Sequence, residues 1–191
     1  MPRHISLVFP GQGSQSVGML NDFCHDDIAS IKPALTELPF DLIDIIQNDP
    51  EDLLKKTSIT QPALLATSYL HYKKFLSLTH TLPDIIAGHS LGEYSALVAA
   101  DSIKLKDAIS LVHKRGLFME SSEKGSMFAI LNLDLSFVID ICNEVSIATG
   151  LVVSPANINA PNQIVRKEKD SLQKYDIELK KLNSILNSIK N

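Results

Sequence analysis

Histidine is absent after His113, glycine after Gly150 and proline after Pro161, and only two cysteines, Cys24 and Cys142, occur in 191 residues. Two cysteines without C-x-x-C spacing exclude a disulfide-built scaffold and make a reducing, cytoplasmic setting the expectation. No His/Cys/Asp/Glu set at ligand spacing exists, so no metal is expected. Long apolar runs are missing too. The N-terminal stretch Ile5 to Phe9 is short and interrupted by Ser6, so neither a signal-peptide core nor a membrane span is expected. Positive charge is not in excess: 18 basic and 22 acidic residues give a net charge of −4, which argues against a nucleic-acid partner. What remains is an ordinary globular composition, 45% hydrophobic and 21% charged, which excludes disorder, collagen and coiled-coil rods as descriptions of the whole. A chain of this length buries roughly 70% of its unfolded surface, enough for a real core in one domain or two.

Periodicity and turn residues divide the chain. Ile5 to Phe9, closed by Pro10-Gly11, reads as a buried central parallel strand ending in a glycine-rich turn. Polar, loop-rich sequence with short helices follows to about Thr60. Pro62 suits a first helical position, with a helix over Ala63 to Leu76. Asp84 to Ala87 reads as a second strand, Leu91 to Ala100 as a buried helix and Leu105 to Glu120 as another. After Gly125 the character changes: strand Met127 to Leu131, helix Ser136 to Ile147, strand Leu151 to Asn157, and a helix from Asp170 onward whose Leu172, Tyr175, Leu179, Leu182, Leu186 and Ile189 form one apolar stripe. The expected organisation is an α/β lobe over 1–125 and a smaller β-α-β-α lobe over 126–191.

The sharpest chemical signal is Gly88-His89-Ser90-Leu91-Gly92, a G-x-S-x-G sequence between a predicted strand and a predicted helix. Glycines there permit a tight turn that pushes the Ser90 hydroxyl into a cleft at a helix N-terminus, where the Leu91 amide can stabilise an oxyanion. Gly11-Gln12-Gly13-Ser14-Gln15 follows the first strand, and the Gln12 amide is the candidate second donor; no Gly-Lys-Ser/Thr follows, so it is not a P-loop. Either run could also be a plain turn. On the helix from Leu105 the apolar stripe Leu105, Ala108, Ile109, Val112, Gly116, Met119 is broken by Arg115. A guanidinium on such a face needs a carboxylate, supplied by Glu93, by another internal acid or by a substrate.

Five segments together, Val8-Phe9-Pro10-Gly11-Gln12-Gly13-Ser14-Gln15, Thr60-Gln61-Pro62-Ala63-Leu64, Gly88 to Ala96, Arg115-Gly116-Leu117-Phe118-Met119 and Asn157-Ile158-Asn159-Ala160-Pro161, resemble the malonyl-CoA:acyl carrier protein transacylases in order and spacing. The resemblance runs from about Ile5 to Val165. It implies an α/β-hydrolase-like large lobe with a parallel sheet and a partial ferredoxin-like α+β small lobe. The implied reaction carries malonyl from malonyl-CoA to the phosphopantetheine thiol of acyl carrier protein for fatty acid biosynthesis, with no cofactor beyond malonyl-CoA as substrate. Ser90 becomes the acylated nucleophile, the Gln12 and Leu91 amides the oxyanion hole, and Arg115 the clamp on the malonyl carboxylate. Gln61 and Asn159 match substrate-site positions.

The family's general base is a histidine downstream of the small lobe, in a Val-Pro-Ser-His type segment, and no counterpart follows His113 here. The glycine that opens the turn after Gln163-Ile164-Val165 is replaced by Arg166-Lys167. The resemblance therefore implies a longer architecture, with a separate chain as one possible source of the remainder. Three functional classes stay open at this point: a transacylase completed by another chain, a non-catalytic binder of acyl carrier protein or coenzyme A, and a serine thioesterase or esterase. Lys73, Lys74, Lys104, Lys106 and the tail are the candidate attraction for an acidic carrier; residues 166–191 hold 7 basic and 4 acidic residues, which concentrates positive charge there.

Overall fold

The computed structural model describes residues 4–122, 125–160 and 163–169. The chain forms two compact units, Met1–Ser122 and Glu123–Asn191. The tail helix expected from Asp170 lies outside the described residues.

In the first unit, strand β1 (Ser6–Phe9) pairs in parallel with β2 (Ile85–Gly88), in a register running from Ser6↔Ile85 to Phe9↔Gly88. Helices α1 (His25–Leu35), α2 (Leu42–Asn48) and α3 (Thr57–Thr79) fill the connection between them, and α4 (Leu91–Ala99) and α5 (Leu105–Ser121) follow β2. α3 is the central element. Ser58 to Ser68 are buried continuously, because Leu20, Ile31, Leu42, Ile46, Ile109 and Val112 from the surrounding segments close around Leu64 and Leu65. Strand pairing is parallel as expected, but burial differs: Phe9 is buried whereas Val8 is 69% and Ile85 60% exposed. The described residues cover only one face of this sheet.

Pro62, expected at a first helical position, lies inside α3, which begins at Thr57. Proline has no N–H, so the carbonyl four residues back, that of Ser58, loses its helical donor. His113 Nδ1 takes that carbonyl at 2.8 Å, and Glu120 Oε1 accepts from the Ser58 N–H at 2.7 Å. α5 thereby supports the first turn of α3 on both polar groups of one residue, and the helix extends upstream of its proline.

The second unit orders its strands β3 (Gly125–Leu131), β5 (Gln163–Lys169), β4 (Val153–Ala160), all antiparallel, with α6 (Leu135–Thr149) between β3 and β4. Val138 and Cys142 of α6 pack on Val153 and Ile164. The order is therefore β-α-β-β through Lys169: β5 begins at the Gln163-Ile164-Val165 segment and adds a strand to the expected β-α-β-α order, whose last helix lies outside the described residues. β5 is central in its sheet, so Arg166 and Lys167 have ladder partners on β3 and β4, which extends the strand through a charged run. Among the described residues, no helix is long and apolar enough to cross a membrane, and no group of three or more His, Cys, Asp or Glu is placed to hold a metal ion.

Candidate active site

Strand β2 ends at Gly88 and helix α4 begins at Leu91, so the chain reverses within two residues. Ser90 carries the reversal at φ 55°, ψ −106°, a conformation costing a non-glycine residue on the order of 1–3 kcal/mol. The neighbouring glycines make it possible. A Cβ on Gly88 would overlap the Gly92 carbonyl, and one on Gly92 would overlap the carbonyl oxygen of Phe9. Backbone hydrogen bonds close the turn: Gly92 N–H to His89 O at 2.9 Å, Glu93 N–H to Ser90 O at 3.1 Å, and His89 N–H to Phe9 O at 3.1 Å. Leu91, as the first helical residue, has no intrahelical acceptor for its N–H, and this amide sits at the positive end of α4. Glu93, in the same first turn, is exposed.

Because Phe9 pairs with Gly88, the two strands end in step and their exit loops leave side by side. A Cβ on Gly11 would stand 2.8 Å from His89 O and 2.9 Å from His89 Nδ1, so the His89 ring lies against the first loop. Within that loop Ser14 Oγ donates to Gly11 O at 2.9 Å and Gly13 N–H to Gln15 Oε1 at 2.8 Å. The Gln12 side chain turns toward α3, its Nε2 donating to Thr57 Oγ1 at 3.2 Å.

Arg115 completes the cluster. Gly116 lets α5 come so close to α3 that an added Cβ would overlap Ser58 Cα. From there the half-buried Arg115 donates through Nη2 to Ser90 Oγ at 3.2 Å, and its guanidinium carbon lies 5.7 Å from the centre of the Tyr94 ring, within cation–π range. No carboxylate pairs with Arg115 among the described residues, so neither Glu93 nor another described acid is its partner. An arginine held at a serine hydroxyl with its charge unpaired is equipped to receive an anion.

Gln61 is fully buried on α3, one turn beyond Thr57. Its Nε2 contacts Met119 Sδ at 3.2 Å, one turn beyond Arg115 on α5, while its Oε1 accepts no hydrogen bond among the described residues. The structure thus brings Ser90, Leu91, Arg115 and the Gln12 loop to one end of the β1–β2 pair and ties Gln61 to the helix that carries Arg115. Asn159 is in the other unit, on β4 where the register shifts between Ile158 and Ala160. Of the candidate carrier-attracting lysines, Lys74 donates to Asp22 O at 2.7 Å over the Phe23 ring and Lys106 pairs with Glu37 at 2.8 Å. Both therefore have roles within the fold. His113 is engaged by Ser58, and His71 packs edge-on against Phe23 at 4.8 Å.

Sequence reasoning did not single out Tyr94. It lies one helical turn from Ser90, a spacing that could have flagged it, but its contact with Arg115 depends on how α4 and α5 pack.

A strained serine between a parallel strand and a helix, faced by an unpaired arginine, defines an α/β protein of the nucleophile-elbow class. Residues 6–184 match the model of the acyl transferase domain, and the chain belongs to that family. It is 43% identical over 173 residues to the malonyl CoA-acyl carrier protein transacylase of Haemophilus influenzae, covering 85% of this chain and 54% of that protein. Among solved structures, the malonyl CoA-acyl carrier protein transacylase of Coxiella burnetii superposes with a TM-score of 0.80 at 38% identity, over 89% of this chain and 55% of that one. A type II polyketide-synthase malonyl-transacylase, solved in complex with its acyl-carrier protein, gives 0.73 at 41% identity, over 88% and 56%. The chain spans about half the length of the curated relatives it matches. Its α/β-hydrolase-like and partial ferredoxin-like architecture is the expected one.

Proposed function

We propose that this chain supplies the nucleophile and the carboxylate clamp for transfer of a malonyl group from malonyl-CoA to the phosphopantetheine thiol of an acyl carrier protein, in cytoplasmic fatty acid biosynthesis. The single observation that carries this reading is Arg115 Nη2 at 3.2 Å from Ser90 Oγ. In a malonyl ester of Ser90 the distal carboxylate is only three covalent bonds from Oγ, within the sweep of the same guanidinium.

The steps follow from that placement. Ser90 Oγ adds to the thioester carbonyl as a general base removes its proton, and the Leu91 and Gln12 amides hold the resulting oxyanion. Collapse breaks the C–S bond, coenzyme A leaves as the thiol after protonation, and the malonyl ester remains on Ser90. The carrier thiol then attacks the ester carbonyl, and Ser90 recovers its proton as it leaves. Gln61, whose buried Oε1 accepts no hydrogen bond among the described residues, contributes to substrate binding. The family resemblance gives the role of base to a histidine, and the proposed reaction calls for no cofactor.

Incubation with radiolabelled malonyl-CoA tests this directly. Label should appear on Ser90 after acid quench, pass to added carrier protein, and be absent from Ser90→Ala; label independent of Ser90, or none at all, overturns the proposal and leaves a non-catalytic binding role.

Tyr94 gives a finer prediction. Tyr94→Phe keeps the aromatic face and should keep the preference for malonyl over acetyl groups. Tyr94→Ala removes about 1 kcal/mol of cation–π contact and should reduce that preference about fivefold. The preference is a ratio, so general loss of folded protein does not change it; equal ratios in both variants would dismiss the contact.

A further inference from the structure

Acyl transfer as proposed uses only the backbone amide of Gln12, yet the residue carries a side chain that turns toward α3. The amide lies between Gly11 and Gly13, and Gly13 is at φ 110° with nothing within 4 Å of a would-be Cβ. Glycines on both sides give the peptide planes around residue 12 wide torsional freedom. The bonds from Ser14 Oγ to Gly11 O and from Gly13 N–H to Gln15 Oε1 stay within the loop, so neither fixes it against the rest of the site. An oxyanion donor acts by being in place before the charge develops, so this amide needs an anchor outside its own loop.

The Gln12 side chain reaches one. Its Nε2 donates to Thr57 Oγ1 at 3.2 Å. Thr57 opens α3, and the same turn is gripped by α5: Glu120 Oε1 accepts from the Ser58 N–H at 2.7 Å, His113 Nδ1 meets the Ser58 carbonyl at 2.8 Å, and a Cβ on Gly116 would stand 2.8 Å from Thr57 O. α5 also carries Arg115, whose Nη2 donates to Ser90 Oγ. The first turn of α3 is therefore a common reference for the Gln12 loop on one side and the guanidinium on the other. We infer that Thr57 is a positioning residue for acyl transfer: its hydroxyl holds the Gln12 side chain and so sets the Gln12 amide in register with Ser90 and Arg115. The inference rests on Ser90 as the nucleophile of the proposed function and adds to it a residue that acts through Gln12.

Initial rates of Ser90 labelling by malonyl-CoA in the full chain test this. Thr57→Val keeps the shape and loses the hydroxyl. It should lower the saturating rate about tenfold and leave the half-saturating concentration within about twofold, because the oxyanion forms only beyond the bound state. Deleting an oxyanion donor outright costs about 10²–10³, and an amide that is merely unmoored keeps part of its effect. Thr57→Ser keeps the hydroxyl and loses the methyl group, and should stay within about twofold of the parent. Gln12→Met keeps the backbone amide without the side-chain donor and should match Thr57→Val. The double variant Gln12→Met with Thr57→Val should be no slower than either single one, since both remove the same contact. Melting temperatures should stay within about 2 °C of the parent throughout. A Thr57→Val rate equal to the parent's, a Thr57→Ser rate as low as that of Thr57→Val, or losses that multiply in the double variant each overturn the inference. An alkyl fluorophosphonate separates it from malonyl transfer. Ser90 Oγ forms the P–O bond as the P–F bond breaks, the serine proton and fluoride leave as HF, and the phosphoryl oxygen takes the oxyanion's place. The same order of rates with this reagent, beside no label from malonyl-CoA, supports the Thr57 anchor and removes malonyl transfer alone. Equal rates for parent and variants overturn the anchor alone, and no Ser90 adduct from either reagent overturns both.

Discussion

Arg115→Ala should lower the labelling of Ser90 by malonyl-CoA roughly 100-fold while leaving labelling by acetyl-CoA within a few-fold of the parent. The magnitude comes from losing a charge-assisted, two-pronged contact to a partly desolvated carboxylate, worth about 2–5 kcal/mol when one partner is truncated. The asymmetry comes from the unpaired state of the guanidinium. Arg115 donates to Ser90 Oγ and leans on Tyr94, with no described carboxylate in reach, so an acyl group without a distal carboxylate gains nothing from it. Arg115→Lys keeps the charge but lacks the planar fork, and should fall between the two. Initial labelling rates with both thioesters, for all three proteins, check this. Parallel losses for malonyl and acetyl would mean that Arg115 supports the fold or Ser90 itself and not the carboxylate.

Gly92→Ala should destabilise the first unit by about 3 kcal/mol or more, lowering its thermal midpoint by roughly 10 °C. The new Cβ would overlap the carbonyl oxygen of Phe9, which is the backbone of the neighbouring strand and cannot rotate aside like a side chain. Gly150→Ala is the matched control. Gly150 ends α6 at φ 70° with nothing near its would-be Cβ, so only the left-handed backbone cost of about 1 kcal/mol applies. Circular dichroism melts of the two variants separate steric overlap from backbone preference. A Gly92→Ala melt no lower than that of Gly150→Ala would show that α4 can shift away from β1 without penalty.

The elbow was legible in the sequence because its requirement is local: two glycines around a serine, between an apolar run and an alanine-rich helix, can satisfy the backbone in few other ways. Arg115 was legible for a similar reason, since one charge on a helical stripe stands out whatever the helix packs against. Pro62 misled because the preference for the first helical turn assumes that a freed carbonyl has no outside donor, and His113, from a helix fifty residues later, provides one. The exposed Val8 and Ile85 show a related limit. An apolar strand indicates that it needs cover, not which polypeptide supplies it. Likewise the contacts of Gln61 with Met119 and of Tyr94 with Arg115 join residues whose separation along the chain carries no periodic signal.

The parallel pairing of β1 with β2 also sets an order of events. A parallel pair cannot close by a hairpin; here α1, α2 and α3 intervene, so the entropy of closing that loop opposes strand pairing until the helices have condensed. Contacts between α3 and α5, which join Ser58 to His113, Gly116 and Glu120, need no strand at all. The helical layer can therefore form first, and the Ser90 turn acquires its strained geometry only when Phe9 reaches Gly88 and Gly92. Newly made chains would pass through a stage that is helical and compact but in which the chain at Ser90 is not yet bent, so the strained turn is set only as the last joint of the fold is made.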